Sequence, residues 1–368
     1  MRRLLLLALL AAPASVAQTA TVTGTVRDAS GTPLPGANVY LSGTTRGDAA
    51  DINGRYAIEG IAPGAYRLVA SMVGFAPEVD EIRLGTEAEV VVDFELEGLE
   101  LETATVEAER DARWERRLAW FQRELIGTSG RADSTEILNP WVLDFRLRWG
   151  TLTATAREPL LIENRALGYR LRYDLHAFSA SSARVSYDGD EQFTPLRPAT
   201  AGQAARWATA REAAYRGSLA HLLRSLLHRT AEAEGFSFLL TYRDENDIRG
   251  TGATFRTDSR RLVRADDDGW GTLRVRGRLD VTYAEPEDPA YLDHPWTSER
   301  RRRPATVQTS GVHVRRSARF DPQGTPEDPF AISTSGYFGF ERLADRVPED
   351  YDPPGTTTDD GPRTTEGS

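Results

Sequence analysis

Strict alternation of apolar and polar positions marks three stretches of this chain. Leu143, Phe145, Leu147 and Trp149 alternate with Asp144, Arg146 and Arg148. Tyr169, Leu171, Tyr173 and Leu175 alternate with Arg170, Arg172, Asp174 and His176; Leu273, Val275, Leu279, Val281 and Tyr283 oppose Arg274, Arg276, Arg278 and Asp280. A period of two puts each apolar set on one face, so these read as strands of an antiparallel sheet with one wet face. The pattern places Trp149 on the buried side. Elsewhere the period is helical: Trp114, Leu118, Phe121 and Leu125 fall at i, i+4, i+7 and i+11, with Gly127 as the stop. From Gly202 to Glu234 the chain is rich in alanine and leucine, with Tyr215, Leu219, Leu222, Leu223 and Leu226 at helical spacing and Gly217 as a weak point. Helices packed on an antiparallel sheet make residues 113–347 an α+β region.

The pattern before residue 97 is different. Val22, Gly24 and Val26 alternate with Thr23 and Thr25 until Asp28, Ser30 and Gly31, residues that favour turns. Pro33, Leu34, Pro35 and Gly36 bend the chain before a strand from Ala37 to Leu41. Asp51, Asn53 and Gly54 form a tight turn into Tyr56 and Ile58, and Pro63 and Gly64 precede Tyr66, Leu68 and Ala70. Short strands with this punctuation predict an all-β sandwich over residues 18–97.

The strings Val-Thr-Gly-Thr-Val-Arg-Asp from Val22, Gly-Thr-Pro-Leu-Pro-Gly-Ala-Asn-Val from Gly31, Asp-Ile-Asn-Gly-Arg-Tyr from Asp51, Pro-Gly-Ala-Tyr-Arg-Leu from Pro63 and Ser-Met-Val-Gly-Phe from Ser71 resemble the carboxypeptidase-like regulatory domain. The resemblance implies a prealbumin- or transthyretin-like sandwich that is itself non-catalytic. Such domains accompany metallocarboxypeptidases and precede the plugs of outer-membrane transporters. A zinc carboxypeptidase needs a His-x-x-Glu pair. None of His176, His221, His228, His294 and His313 is followed three residues on by glutamate. The acidic stretch ending in Thr-Ala-Thr-Val-Glu-Ala-Glu-Arg resembles the link to a transporter plug and makes 98–112 a linker. The helical stretches beyond it do not read as a barrel. Ile-Leu-Asn-Pro from Ile137, the Leu161–Tyr169 string, Ala-Tyr-Arg-Gly-Ser from Ala214 and Glu-Arg-Leu-Ala-Asp from Glu341 resemble uncharacterised envelope proteins carrying the same domain, which implies no particular activity.

Composition narrows the chemistry. The net charge of -10 repels nucleic acid. With no cysteine there is no disulfide, thiolate metal site or lipobox. All basic side chains are arginine, so no Schiff-base or P-loop lysine exists. Arg2 and Arg3, the apolar run Leu4–Ala12 and the small residues Ser15 to Ala17 read as a signal peptide over residues 1–17, too short for a membrane span of about 20 residues. The mature chain is expected in the periplasm or on the outer-membrane surface. Residues 348–368, rich in proline, acids and threonine, read as a disordered acidic tail.

Candidate sites all have ordinary readings beside the functional one. His221 and His228 are seven apart, about 10 Å along a helix, too far for a shared metal. Asp266, Asp267, Asp268 and Gly269, and Asp244, Glu245 and Asp247, lack EF-hand spacing and read as hairpin turns. Glu158 and Glu163 are a conceivable glycosidase pair only if their separation fits. Ser218 lies outside any Gly-x-Ser-x-Gly elbow. The basic run at 299–304 reads as a solvated loop, and Trp141, Trp149, Trp270 and Trp296 suit sugar rings only where exposed. No catalytic, cofactor-binding or metal residue is assigned. The expectation is a non-catalytic exported protein with a binding or accessory role for an envelope protein or polysaccharide; the alternative is a glycan- or peptide-directed hydrolase with an unrecognised site in the second region.

Overall fold

The computed structural model describes residues 19–86, 88–99, 111–242, 253–294 and 303–354. The first strands are β1 (Ala20–Asp28), β2 (Asn38–Leu41), β3 (Gly47–Ala49), β4 (Arg55–Ile61), β5 (Gly64–Ser71), β6 (Glu78–Leu84), β7 (Glu89–Val91) and β8 (Phe94–Leu96). They form a sandwich of two four-stranded sheets, one in the order β4-β1-β7 with β8 also on β1, the other β3-β2-β5-β6. Val22, Val26, Tyr56, Ile58, Leu68 and Ala70 meet in its core, as the alternation requires. The turn residues act by their side chains: Asp28 accepts from the Ser30 and Thr32 N–H groups, and Asp51 from those of Asn53 and Arg55.

The second region opens with α1 (Ala112–Leu125), whose N-cap Asp111 accepts from the Arg113 and Trp114 N–H groups. It then runs through β9 (Thr135–Ile137), β10 (Leu143–Arg148), β11 (Thr151–Ala156), β12 (Leu160–Asn164), β13 (Tyr169–Ala180) and β14 (Val185–Pro195). These strands make a six-stranded sheet, β10-β11-β13-β12-β9 with β14 on β13. Phe121 of α1 is fully buried against it, its ring centroid 4.6 Å from Phe178 and 5.6 Å from Phe145.

Beyond it lie α2 (Ala201–Tyr215), α3 (Leu219–His228), β15 (Phe236–Tyr242), β16 (Ala253–Arg256), β17 (Val263–Ala265), β18 (Gly271–Leu273), β19 (Arg278–Tyr283), β20 (Gln308–Val314), β21 (Ala318–Phe320), β22 (Ile332–Gly336) and the single turn α4 (Tyr337–Phe340). They build a five-stranded sheet, β16-β15-β19-β20-β22, and a three-stranded one, β17-β18-β21. Leu222, Leu223 and Leu226 of α3 share a core with Phe236, Leu279 and Phe320. Among the described residues the region thus holds two large apolar cores, one under α1 and one under α3, and a small aromatic cluster of Tyr291, Tyr337 and Phe340. The chain is mostly β, with several antiparallel sheets.

Three expectations are corrected. Trp149 is not buried: it is 91% exposed, with φ +51, and forms with Gly150 the two-residue turn between Arg148 and Thr151. Two successive positive φ angles suit a tight hairpin, so the turn ends the alternation one residue early. Leu273–Tyr283 is not one strand. Leu273 pairs with Ala318 in the three-stranded sheet and Leu279 with Val312 in the five-stranded sheet, and the residues between carry the chain across. The helical stretch from 202 to 234 is two helices broken at Gly217, whose φ of +82 a side chain would resist and whose Cβ would sit 2.7 Å from Tyr283. Residues 1–18, where the signal peptide was expected, lie outside the described residues, as does most of the linker. Among the described residues no helix is long and apolar enough to cross a membrane.

Truncating Phe121 removes a ring packed on both sides by aromatics. Phe121→Ala is expected to cost about 3–5 kcal/mol in urea denaturation. A loss below about 1 kcal/mol would show that α1 does not anchor the first core.

Candidate functional site

The sandwich and the second region are joined through backbone as well as side chains. The connection after β2 lies along the edge of β14: the Gly43 N–H donates to the Glu191 carbonyl at 2.7 Å and the Phe193 N–H to the Thr44 carbonyl at 3.0 Å. On its other side, the Glu349 N–H donates to the Gly43 carbonyl at 2.8 Å. Asp350 accepts from the Thr45 N–H at 3.0 Å and hydroxyl at 2.5 Å. The first residues of the expected acidic tail are therefore ordered, fixed between sandwich and second region; those from 355 on lie outside the described residues. Gly43 is favoured by its φ of +80, a left-handed conformation that a side chain would resist.

Around this seam the side chains are charged. Arg67 of β5 reaches Asp190 at 3.1 Å and Asp188 at 3.7 Å, and His176 Nε2 lies 3.2 Å from the same Asp190. The Tyr40 hydroxyl donates to Asp174, and Arg172 to the Ser71 hydroxyl. Arg346 holds Glu191 at 2.7 Å, and Arg83 pairs with Glu327. Asp321 accepts from the Gln323 and Thr325 N–H groups, closing the turn after β21. Between these contacts opens a cleft of ≈ 1040 Å³, bounded by β5 and β6 of the sandwich and by β13, β14, the loop Thr325–Phe330 and the segment Arg346–Glu349. A smaller cavity of ≈ 380 Å³ adjoins it behind that segment and reaches α2 and α3.

Burial dominates the electrostatics. It pushes Asp321 up to about 6 against the pull of three backbone N–H donors. It pushes Glu349 up to about 8, with Asp321 adding to the rise and Arg346 opposing it. Glu191 is raised by burial despite Arg346, and its Oε2 is without a hydrogen-bond partner. Because the cleft opens onto Glu349, water screens part of the effect there.

The sequence candidates are largely spent on structure. Ser218, His221 and Glu234 come together, but not as a catalytic relay. Ser218 caps α3 by accepting from the His221 backbone N–H, while His221 Nδ1 accepts from the Gly217 N–H at 2.9 Å. With Nδ1 an acceptor, Nε2 carries the hydrogen and donates to Glu234 at 2.6 Å. No ring nitrogen is left for the serine. His228 is exposed at the end of α3. Glu163 is held by Arg165 and Arg170, which keep its carboxyl below the usual range, and Glu158 is exposed. Asp266 closes the β17–β18 hairpin and pairs with Arg319, which covers the buried Trp270 at 4.3 Å. Trp141 is half exposed, and neither it nor Trp149 lines the cleft. Asp244, Glu245, Asp247, Trp296 and most of the 299–304 run lie outside the described residues. Among the described residues no three His, Asp or Glu converge so as to hold a metal ion.

The cleft residues come from seven separate segments and carried no local motif. The one available signal was the pair Val347 and Tyr351 at the start of an otherwise polar tail.

Residues 21–97 match the carboxypeptidase regulatory-like domain. A TonB-dependent receptor of Formosa agariphila is 30% identical over 123 residues, which cover 33% of this chain and 11% of that protein. The chain therefore spans only a small part of that relative's length. Among solved structures, a protein described as carbohydrate-binding from Bacteroides uniformis is 12% identical over 50% of this chain and 81% of its own, with a TM-score of 0.19. The major pilin subunit of Bacillus cereus is 11% identical over 73% and 88%, with a TM-score of 0.18. Likeness this slight transfers neither fold nor function. The regulatory-like domain is thus the one part of the chain tied to a family.

The raised carboxyl of Glu349 has a testable consequence. The folded protein holds this proton more tightly than the unfolded chain does, so its stabilising effect is full below about pH 4.5 and is lost as pH rises through about 8. His221 and His294, lowered by burial, act only below about pH 6.5. Between pH 7 and 9 the thermal midpoint is therefore expected to fall, with Glu341 contributing because burial raises its carboxyl well above the usual range, and Glu349→Gln to remove the Glu349 share of that fall. An unchanged slope in the variant would assign the fall to another group.

Proposed function

We propose that this chain is an exported, non-catalytic accessory protein of the cell envelope, and that the cleft between its regulatory-like domain and its second region is where an envelope partner or polysaccharide binds. The observation that carries this reading is the seam at Gly43 and Thr44. The regulatory-like domain is built into the edge of β14 rather than tethered beside it, so the cleft exists only when the two parts are docked. The arrangement of Ser218, His221 and Glu234 supports the absence of acyl-transfer chemistry. The pair Arg2 and Arg3 followed by the apolar run Leu4–Ala12 supports export.

A second reading has one observation in its favour. Glu191 and Glu349 are carboxyls on one cleft whose proton affinities are both raised, and a protonated carboxyl is what a glycan hydrolase uses as its acid. The two readings part on turnover. The full mature chain, incubated with polysaccharides and peptides, is expected to release no reducing ends or new amines while being retarded by at least one of them in affinity gels. Turnover that Glu349→Gln abolishes would establish the hydrolase instead.

A further inference from the structure

Which ligand the cleft takes can be argued from what its walls leave over. This step rests on the reading of the protein as a binding accessory. At ≈ 1040 Å³ the cleft is at the upper end of small-ligand sites, which run to roughly 1,000 Å³, so it suits a short oligomer better than a single small metabolite. Its lining arginines are Arg67, Arg83 and Arg346, and each already faces a carboxylate: Arg67 has Asp188 and Asp190, Arg83 has Glu327, and Arg346 has Glu191.

An anionic ligand would have to break one of these pairs while facing the carboxylates that remain. A cationic ligand would find Glu81 at the exposed mouth, where water screens it, and Glu349, which keeps its own proton near neutrality. The one carboxylate in excess, Asp188, is partly exposed and already lies 3.7 Å from Arg67 and 3.8 Å from His176, so neither sign of charge gains a buried unbalanced partner.

What the walls do offer is unused hydrogen-bonding capacity. A guanidinium has five N–H donors and a carboxylate about four acceptor positions, and a single ion pair uses few of either. A hydroxyl group both donates and accepts, and so can bridge such a pair without disturbing its charge. Two exposed apolar side chains line the cleft from different walls, Phe330 of the Thr325–Phe330 loop, 53% exposed, and Val79 of β6, 39% exposed, with Pro326 and Pro329 in the same lining. An exposed aromatic ring next to a charged, donor-rich wall fits the two faces of a pyranose, one apolar and one hydroxylated. An extended peptide is the competing neutral ligand, but it docks by main-chain pairing at a free sheet edge. The edge of β14 at Glu191–Phe193 is already taken by Gly43 and Thr44, and the outer edge of β6 on the other wall is charged along its length by Glu78, Asp80, Glu81 and Arg83, which disfavours strand addition.

We infer that the cleft binds a neutral oligosaccharide segment, its hydroxyls bridging the arginine–carboxylate pairs of the walls and a sugar ring lying on Phe330 at the mouth.

The test uses the full mature protein in affinity gels containing neutral polysaccharides (xylan, mannan, laminarin), an anionic one (pectate) and a cationic one (chitosan), with a peptide library as a further arm. Phe330→Ala and Val79→Arg alter exposed positions, and unchanged melting temperatures confirm that both fold. Retardation by at least one neutral polysaccharide is expected, little affected by 0.5 M salt. It should weaken about tenfold in Phe330→Ala, a loss of about 1.4 kcal/mol, and at least as much in Val79→Arg. Binding of pectate, chitosan or peptides alone, lost in the same variants, overturns the ligand class and leaves the cleft as the binding place. Neutral binding untouched by either variant overturns the site. Retardation by nothing overturns this inference and leaves the accessory reading with an envelope protein as its partner.

Discussion

The architecture depends on the contact of two backbone groups of the sandwich with the edge of β14. Gly43 and Thr44 supply one donor and one acceptor to a strand that pairs with β13 on its far side, and the Glu349 N–H then covers the remaining carbonyl of Gly43. A short piece of loop is thereby paired on both flanks. Backbone groups in such a place must be satisfied; the Thr44 N–H finds the Leu41 carbonyl within the sandwich, while the Gly43 N–H and both carbonyls are satisfied across the seam. Orientation therefore follows from hydrogen-bond register, in which Thr44 lies opposite Gln192, rather than from apolar area alone.

The charges around the seam sharpen that constraint. Asp190, Glu191 and Asp321 are almost fully buried, a state that is tolerable only with partners: Arg67 and His176 for the first, Arg346 for the second, and backbone N–H donors for the third. Pairs of this kind contribute little net stability when intact, because desolvation offsets attraction. Breaking one is costly, because the remaining charge is buried alone. The seam thus acts through specificity: displaced dockings leave several ions unpaired at once. That is the physical basis for treating the cleft as a fixed feature rather than a gap between mobile modules.

Most of the local structure was legible from the chain. Asp28 and Asp51 fold their own turns, Gly127 follows the end of α1, and the alternation in Tyr169–Leu175 lies in the central strand. These features are set by residues within a few positions of one another. The misreadings came where a distant partner decided. The alternation through Trp149 was overridden by the hairpin register, and that through Leu273–Tyr283 by a change of sheet. The tail looked disordered because Pro348, Glu349 and Asp350 are polar or turn-forming, and composition does not reveal that Thr45, some three hundred residues earlier, waits for Asp350.

The cleft illustrates the same limit more strongly. Its arginine and carboxylate groups are unremarkable one at a time, in a chain with 45 basic and 55 acidic side chains. What distinguishes Arg67, Asp190, Arg346 and Glu191 is that two chain segments bring them together with a third, and that water is largely excluded where they meet. Raised proton affinity at Glu349 is a result of that assembly, since burial is its largest cause and burial depends on the sandwich being in place. The family match covers only residues 21–97, so it accounts for the sandwich but not for the surface that receives it. A regulatory-like domain with the same turns, paired with a second region lacking the edge of β14 or the segment Arg346–Asp350, would fold equally well and form no cleft. The proposed binding place therefore depends on the pairing of the two parts, and the sequence of either part alone carries little of it.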